Sequence, residues 1–81
     1  MDSPSVQARI EHEIAQLRAR FPQVTDCHAA LVQWKDGGAP RYSLYLDIRW
    51  PNHQTLVSGR ARDSAEGAIS AGFIQAEEAL Q

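Results

Sequence analysis

Lys35, Arg41, Arg49, Arg60 and Arg62, with Tyr45 among them, are the residues of this chain whose types and spacing suit chemistry. Guanidinium and ammonium groups hold phosphate oxygens, and a phenol ring stacks on a base; together they are what a single-stranded or looped nucleic acid requires. Arg41, Tyr45 and Arg49 recur every fourth residue, so in a strand they share a face. The same residues also suit an ordinary solvated face, with Asp47 pairing Arg49 or Arg60.

Other reactive types are arranged less informatively. His12, His28 and His53 fall in a predicted helix, strand and turn, and no pair has ligand spacing. Cys27 and His28 are neighbours in a strand and point to opposite faces, so no metal site is expected. Cys27 has no evident base partner and reads as a small buried apolar residue. Gly37-Gly38 lacks the spacing of a phosphate-binding loop and is explained by turn geometry. Trp50 is expected in the core, and Trp34 either in the core or as an interface anchor. Glu77 and Glu78 read as a solvated helix end. With no paired carboxylates and no triad, neither enzymatic activity, nor a cofactor, nor a small-molecule substrate is expected.

The totals set the frame. The chain has 81 residues and one cysteine, so a single domain over residues 1–81 is expected, with no intramolecular disulfide and no need of an oxidising compartment. No stretch has the apolar length of a membrane span, and residues 1–5 carry no basic-then-apolar signal; a cytoplasmic protein is the default. The net charge is -2, which argues against a generic polyanion binder. The charge is uneven, however. Residues 34–62 hold the five bases named above against Asp36 and Asp47 only, whereas residues 63–81 hold Asp63, Glu66, Glu77 and Glu78 and no base. One end of the domain would attract phosphate and the other repel it.

The elements that must position these residues follow from periodicity. Arg41 to Trp50 alternates, with Tyr42, Leu44, Leu46, Ile48 and Trp50 on one side and Arg41, Ser43, Tyr45, Asp47 and Arg49 on the other. This predicts a strand with one face buried and one wet. Before it, Ser3-Pro4 reads as a cap and first helical position. Val6, Ile10, Ile14 and Leu17 then mark one helical face, with Arg9 and Glu13 as an i, i+4 pair. Phe21-Pro22 stops that helix. Val24 to Trp34 predicts a strand with apolar residues on both sides. Lys35 to Pro40 is a turn containing Asp-Gly, a hairpin signal. After Pro51 to Gln54, Thr55 to Arg60 predicts a third strand. Setting Trp50 opposite Thr55 would bring Val57 into the core and put Leu56 and Arg60 on the wet face. Asp63-Ser64-Ala65-Glu66 has the capping-box pattern with Asp63 as cap. The helix after it should bury Ala65, Ala68, Ile69, Gly72, Phe73, Ala76 and Leu80. The prediction is an α+β fold of order α-β-β-β-α: a three-stranded antiparallel sheet with two helices packed on one face.

Certain stretches are also familiar. Arg9-Ile10-Glu11, Glu13-Ile14-Ala15, Leu17 and Phe21-Pro22-Gln23-Val24-Thr25-Asp26-Cys27 resemble the opening of short members of the ribosome hibernation-promoting family (HPF/RaiA-like proteins). Tyr42 to Ile48 running into Pro51 resembles that family's central strand and turn. Ala68-Ile69 with Phe73 and Leu80 resembles its last helix. The resemblance implies a small fold with two helices on a sheet. It also implies a non-enzymatic protein that binds the small ribosomal subunit in its decoding and tRNA region, contacting rRNA through basic residues; some members lower translation or protect idle ribosomes in starved cells. On this chain the RNA-binding set would be Lys35, Arg41, Tyr45, Arg49, Arg60 and Arg62.

The chain departs from the family pattern in three places. Only Met1, Asp2 and Ser3 precede the first helix, where the family usually has a strand. Lys35-Asp36-Gly37-Gly38 replaces a basic, His-containing loop. Glu77-Glu78 stand where the last helix is typically basic. Without a preceding strand, Val24–Trp34 would present an unpaired apolar edge, so a homodimer through strand 24–34 is expected. The alternative to ribosome binding is therefore a dimeric protein–protein module of the same fold that has lost rRNA binding. Double-stranded RNA-binding domains share the element order. They rely on lysines at the start of the last helix, where this chain has Asp63, Ser64 and Glu66, so that reading is disfavoured.

Overall fold

The computed structural model describes residues 4–81, with side chains from Val6 onward. The order is α1 (Pro4–Arg20), β1 (Asp26–Asp36), β2 (Ala39–Trp50), β3 (His53–Ser58) and α2 (Ala65–Leu80). The strands form one antiparallel sheet in the order β1-β2-β3, giving the α-β-β-β-α, α+β architecture expected from the sequence. The cap expected at Ser3 lies outside the described residues.

The alternating stretch is the central strand. Leu44, Leu46 and Ile48 are essentially fully buried, and Tyr42 and Trp50 are half-buried on the same side. Burying each large aliphatic side chain stabilises the fold by about 1.5–3 kcal/mol. Two tight turns set the register. Gly37 and Gly38 both have positive φ, 60° and 87°, between paired Asp36 and Ala39. A two-residue hairpin turn with the strands' own twist requires that backbone. At the other end Pro51-Asn52, with Asn52 at φ 65°, turns the chain so that Trp50 pairs with His53 and their rings stack at 5.3 Å. Thr55 therefore faces Ile48 and Val57 faces Leu46, a slip of two from the expected register because two residues alone make the turn. An even slip keeps every side chain on its face, so Val57 is still in the core.

β1 starts two residues later than expected. Val24 is buried in the preceding turn, its N–H donating to the Phe21 carbonyl. The sequence left the inward side of β1 open; Cys27, Ala29 and Leu31 face the helices, while His28, Ala30, Val32 and Trp34 face away.

In α2 the cap is Ser64, not Asp63. Its hydroxyl accepts the Gly67 N–H at 3.0 Å, and the helix starts one residue later than a cap at Asp63 would place it. Ala68, Ile69, Gly72, Phe73 and Ala76 are buried as expected, with Ala65 and Leu80 half-buried. The small residues allow close approach: a Cβ added at Gly72 would lie 2.7 Å from Leu44 Cδ2, and one at Gly59 would lie 3.0 Å from Gly72 Cα. α1 is tied to α2 at two points, Arg9 donating to Ser70 Oγ at 3.0 Å and Arg20 to Glu77 at 2.8 Å. Glu77 is therefore half-buried and paired rather than a free solvated end. The expected Arg9–Glu13 pair forms at 3.3 Å.

Alanine is a better helix former than glycine by about 1 kcal/mol. Gly72→Ala is nonetheless expected to destabilise the protein, because a methyl forced into a filled site costs about 1–3 kcal/mol and Leu44 has nowhere to move. Ser64→Ala should cost about 1 kcal/mol through the lost cap. Urea denaturation measures both; an unchanged or raised midpoint for Gly72→Ala would contradict the packing described.

Candidate functional site

The wet face of β2 is open, with no helix of the described residues over it. Arg41, Tyr45 and Arg49 stand on it in one row, separated by steps of about 13 Å at the usual strand rise. Tyr45 is 45% exposed. Each arginine of the row already has an acid beside it. Arg49 donates to Asp47 Oδ2 at 3.2 Å, and Gln54 donates to Asp47 Oδ1 at 2.9 Å. Arg41 Nε lies 3.9 Å from Asp36. Asp26, further along the same face, lies 3.2 Å from His28 Nε2. A phosphate arriving here would displace or share these carboxylates.

The remaining predicted residues do not join that row. Lys35 pairs with Pro40 at the hairpin tip and has the alternation of Cys27 and Leu31, which puts it on the helix side. Arg62 forms a bridge with Tyr42, 2.8 Å in both directions, and so also belongs to the helix side. Gly59 donates to Leu44, so a single residue of β2, Ser43, faces both Arg60 and Ala61. This bulge re-aims the chain. β3 has ended at Ser58, and Arg60, expected on the wet face with Arg49, instead lines a shallow groove with Arg62, Ile74 and Glu78 of α2. The predicted set thus divides into a row (Arg41, Tyr45, Arg49), a rim (Arg60, Arg62) and a hairpin-tip cation (Lys35). Among the described residues Lys35, Arg60 and Arg62 have no acid in ion-pair contact.

What the charge pattern did not reveal is how apolar the open face is. Val32, Trp34, Tyr45 and Leu56 are all exposed there, Leu56 by 75%. His28, Ala30, Tyr45 and Leu56 border a shallow hollow of about 400 Å³. The signal was present in the second side of β1, where Ala30, Val32 and Trp34 alternate. Ser43 was also missed: it lies on the wet side yet is buried, its hydroxyl donating to the Gly59 carbonyl at 2.7 Å.

Two groups have perturbed acidity. Hydrogen bonds from Gln54 and then Arg49 hold the Asp47 carboxyl below the usual carboxylate range. Burial pushes the Cys27 thiol up, with Arg18 opposing; a protonated, buried thiol is a poor nucleophile. Among the described residues no group of three His, Cys, Asp or Glu is placed to hold a metal ion, and no helix is long and apolar enough to cross a membrane. Compared with known proteins, the chain matches no family model, no curated protein and no solved structure.

A depressed carboxyl contributes stability that is present above its unfolded pKa and lost as pH falls through the folded one. A carboxyl-detected NMR titration should find the Asp47 midpoint below the ordinary carboxylate range, and Gln54→Leu should move it back up; an unmoved midpoint would mean that Gln54 does not brace Asp47 in solution. Cys27 should react with a thiol reagent far more slowly in the native protein than in urea, and equal rates would refute its burial.

Proposed function

We propose that this is a non-enzymatic, ribosome-associated protein of the hibernation or translation-inhibition type, acting in the cytoplasm by binding rRNA of the small ribosomal subunit. The observation that carries the reading is the uncovered row of Arg41, Tyr45 and Arg49 on β2. Together with the family resemblance of the sequence, it offers cations and a stacking ring on a rigid strand. Lys35, Arg60 and Arg62, with no acid partner among the described residues, are the members of this set most available to phosphate. They extend the contact past the hairpin tip and around the α2 rim. In this reading the protein carries no cofactor and turns over no substrate.

A second reading has a specific observation in its favour. Asp26, Asp36 and Asp47 share the open face with Arg41 and Arg49, and Val32, Trp34, Tyr45 and Leu56 make that face apolar. A face that is nearly neutral and greasy suits a protein partner better than a polyanion. On this reading the domain is a dimeric interaction module of the same fold that no longer binds rRNA.

Co-sedimentation with ribosomes across a salt series separates the two. The first reading expects association at low salt that falls steeply as salt rises, and that Arg49→Glu or Arg60→Glu abolishes. Absence of the protein from the ribosomal pellet at low salt would reject it and favour the second.

A further inference from the structure

β1 is an outer strand built like an inner one. Between Cys27 and Trp34 it has no proline, lysine or carboxylate, and its register with β2 runs unbroken from Asp26↔Arg49 to Asp36↔Ala39. Strands meant to face water are interrupted by charge, proline or a bulge. Both of its faces carry apolar side chains as well, so no charge on either side of residues 27–34 repels a second strand. The tight Gly37-Gly38 turn makes Asp36 and Ala39 a hydrogen-bonded pair. Counting back, His28, Ala30, Val32 and Trp34 direct their amides and carbonyls at β2, and those of Cys27, Ala29, Leu31, Gln33 and Lys35 point outward. Above them α1 stands off the sheet. A cleft of about 490 Å³ separates Val6, Ile10 and Ile14 from Ala29 and Leu31, with Glu11 on its wall. Leu17 on the same helical face is fully buried, whereas Val6, Ile10 and Ile14 are only half-buried.

We propose that this edge pairs with the β1 of a second copy of the chain, antiparallel, about a two-fold axis through Val32. The product is a six-stranded sheet with four helices on one face. The inference deepens the second reading above and rests on it. Directly opposed residues must share a face, which places the axis on a residue rather than between two. An axis at Leu31 would set Asp26 against the partner's Asp36. An axis at Val32 instead sets His28 against the partner's Asp36, Ala30 against the partner's large Trp34, and Val32 against the partner's Val32. On the helix side it lays the partner's Lys35 against Ala29 inside the cleft. There its stem runs along apolar surface and its ammonium meets Glu11, giving an acid partner to a cation that has none among the described residues of its own copy.

The same axis fits the helices. α1 returns over β1 from the turn at residues 21–25. Val6 to Leu17 covers about 16 Å of helix, and Cys27 to Val32 about the same length of strand. Each α1 therefore roofs the seam to about Val32 and Gln33, and with the axis there the bodies of the two helices occupy opposite halves of it, their first turns meeting near the axis. An axis nearer Asp26 would drive them into each other.

Sedimentation equilibrium of the whole chain should give twice the 9.0 kDa protomer mass. In a Cys27→Ala background, oxidised Val32→Cys should form a disulfide-linked dimer, since non-hydrogen-bonded opposed residues lie within disulfide reach. Ala30→Cys should not, because its two copies lie about 14 Å apart. Lys35→Glu should weaken the dimer at least tenfold, and adding Glu11→Lys should restore it. A monomer at every concentration would overturn both the proposal and the second reading. A dimer that cross-links at Ala30→Cys instead of Val32→Cys, or is indifferent to the Lys35–Glu11 swap, would overturn this register and leave a protein-binding module standing.

Discussion

The contact between Leu44 and the backbone of α2 at Gly72 governs the arrangement of the whole domain. Leu44 has no exposed surface, and the helix presses so close that a single added methyl at Gly72 would meet its side chain at 2.7 Å. Gly59 completes the seat, bringing the end of the sheet within van der Waals range of the same turn of helix. A core this small has little apolar area to spare. It gains by letting backbone, rather than side chains, make the closest approach. Once α2 is fixed on β2, α1 can only lie beside it, and the Arg9–Ser70 and Arg20–Glu77 bonds hold it there.

Seating both helices on one face leaves the other uncovered, and the chemistry of that uncovered face is mixed. Arginines and a tyrosine alternate along β2 with an aspartate whose carboxyl is braced by Gln54 and Arg49. Leucine, valine and tryptophan flank them. Surface ion pairs of this kind contribute little stability; their effect is to neutralise the row. Of the predicted contact residues, the cations with no acid partner among the described residues lie elsewhere, at the hairpin tip and beside α2. The domain therefore offers separated contact regions, an apolar one on the open face and more cationic ones around the sheet's margins.

The architecture was legible wherever one periodicity dominated. The alternation of residues 41–50 specified both the central strand and its buried side, and the apolar spacing of residues 65–80 specified the buried face of α2. Errors arose where two local solutions compete. Asp63 and Ser64 are both good caps, and the backbone chose the residue one later. Pro51 to Gln54 permits a two- or four-residue reversal, and the register followed the shorter. β1 was ambiguous because apolar side chains on both sides carry no polarity signal. The site was less legible than the fold. Arg60 and Arg62 follow a bulge that no residue pattern announces, and Lys35 takes the helix side because the glycine turn, not its charge, sets its alternation.

The account depends most on which face of the sheet the helices cover. A carbon-edited NOE experiment reads this directly. Cross-peaks from the Leu44 methyls to the Gly72 α-protons, together with none from the Tyr45 ring or the Leu56 methyls to any residue of α1 or α2, are predicted. Cross-peaks from Tyr45 or Leu56 to either helix, or their absence between Leu44 and Gly72, would contradict it.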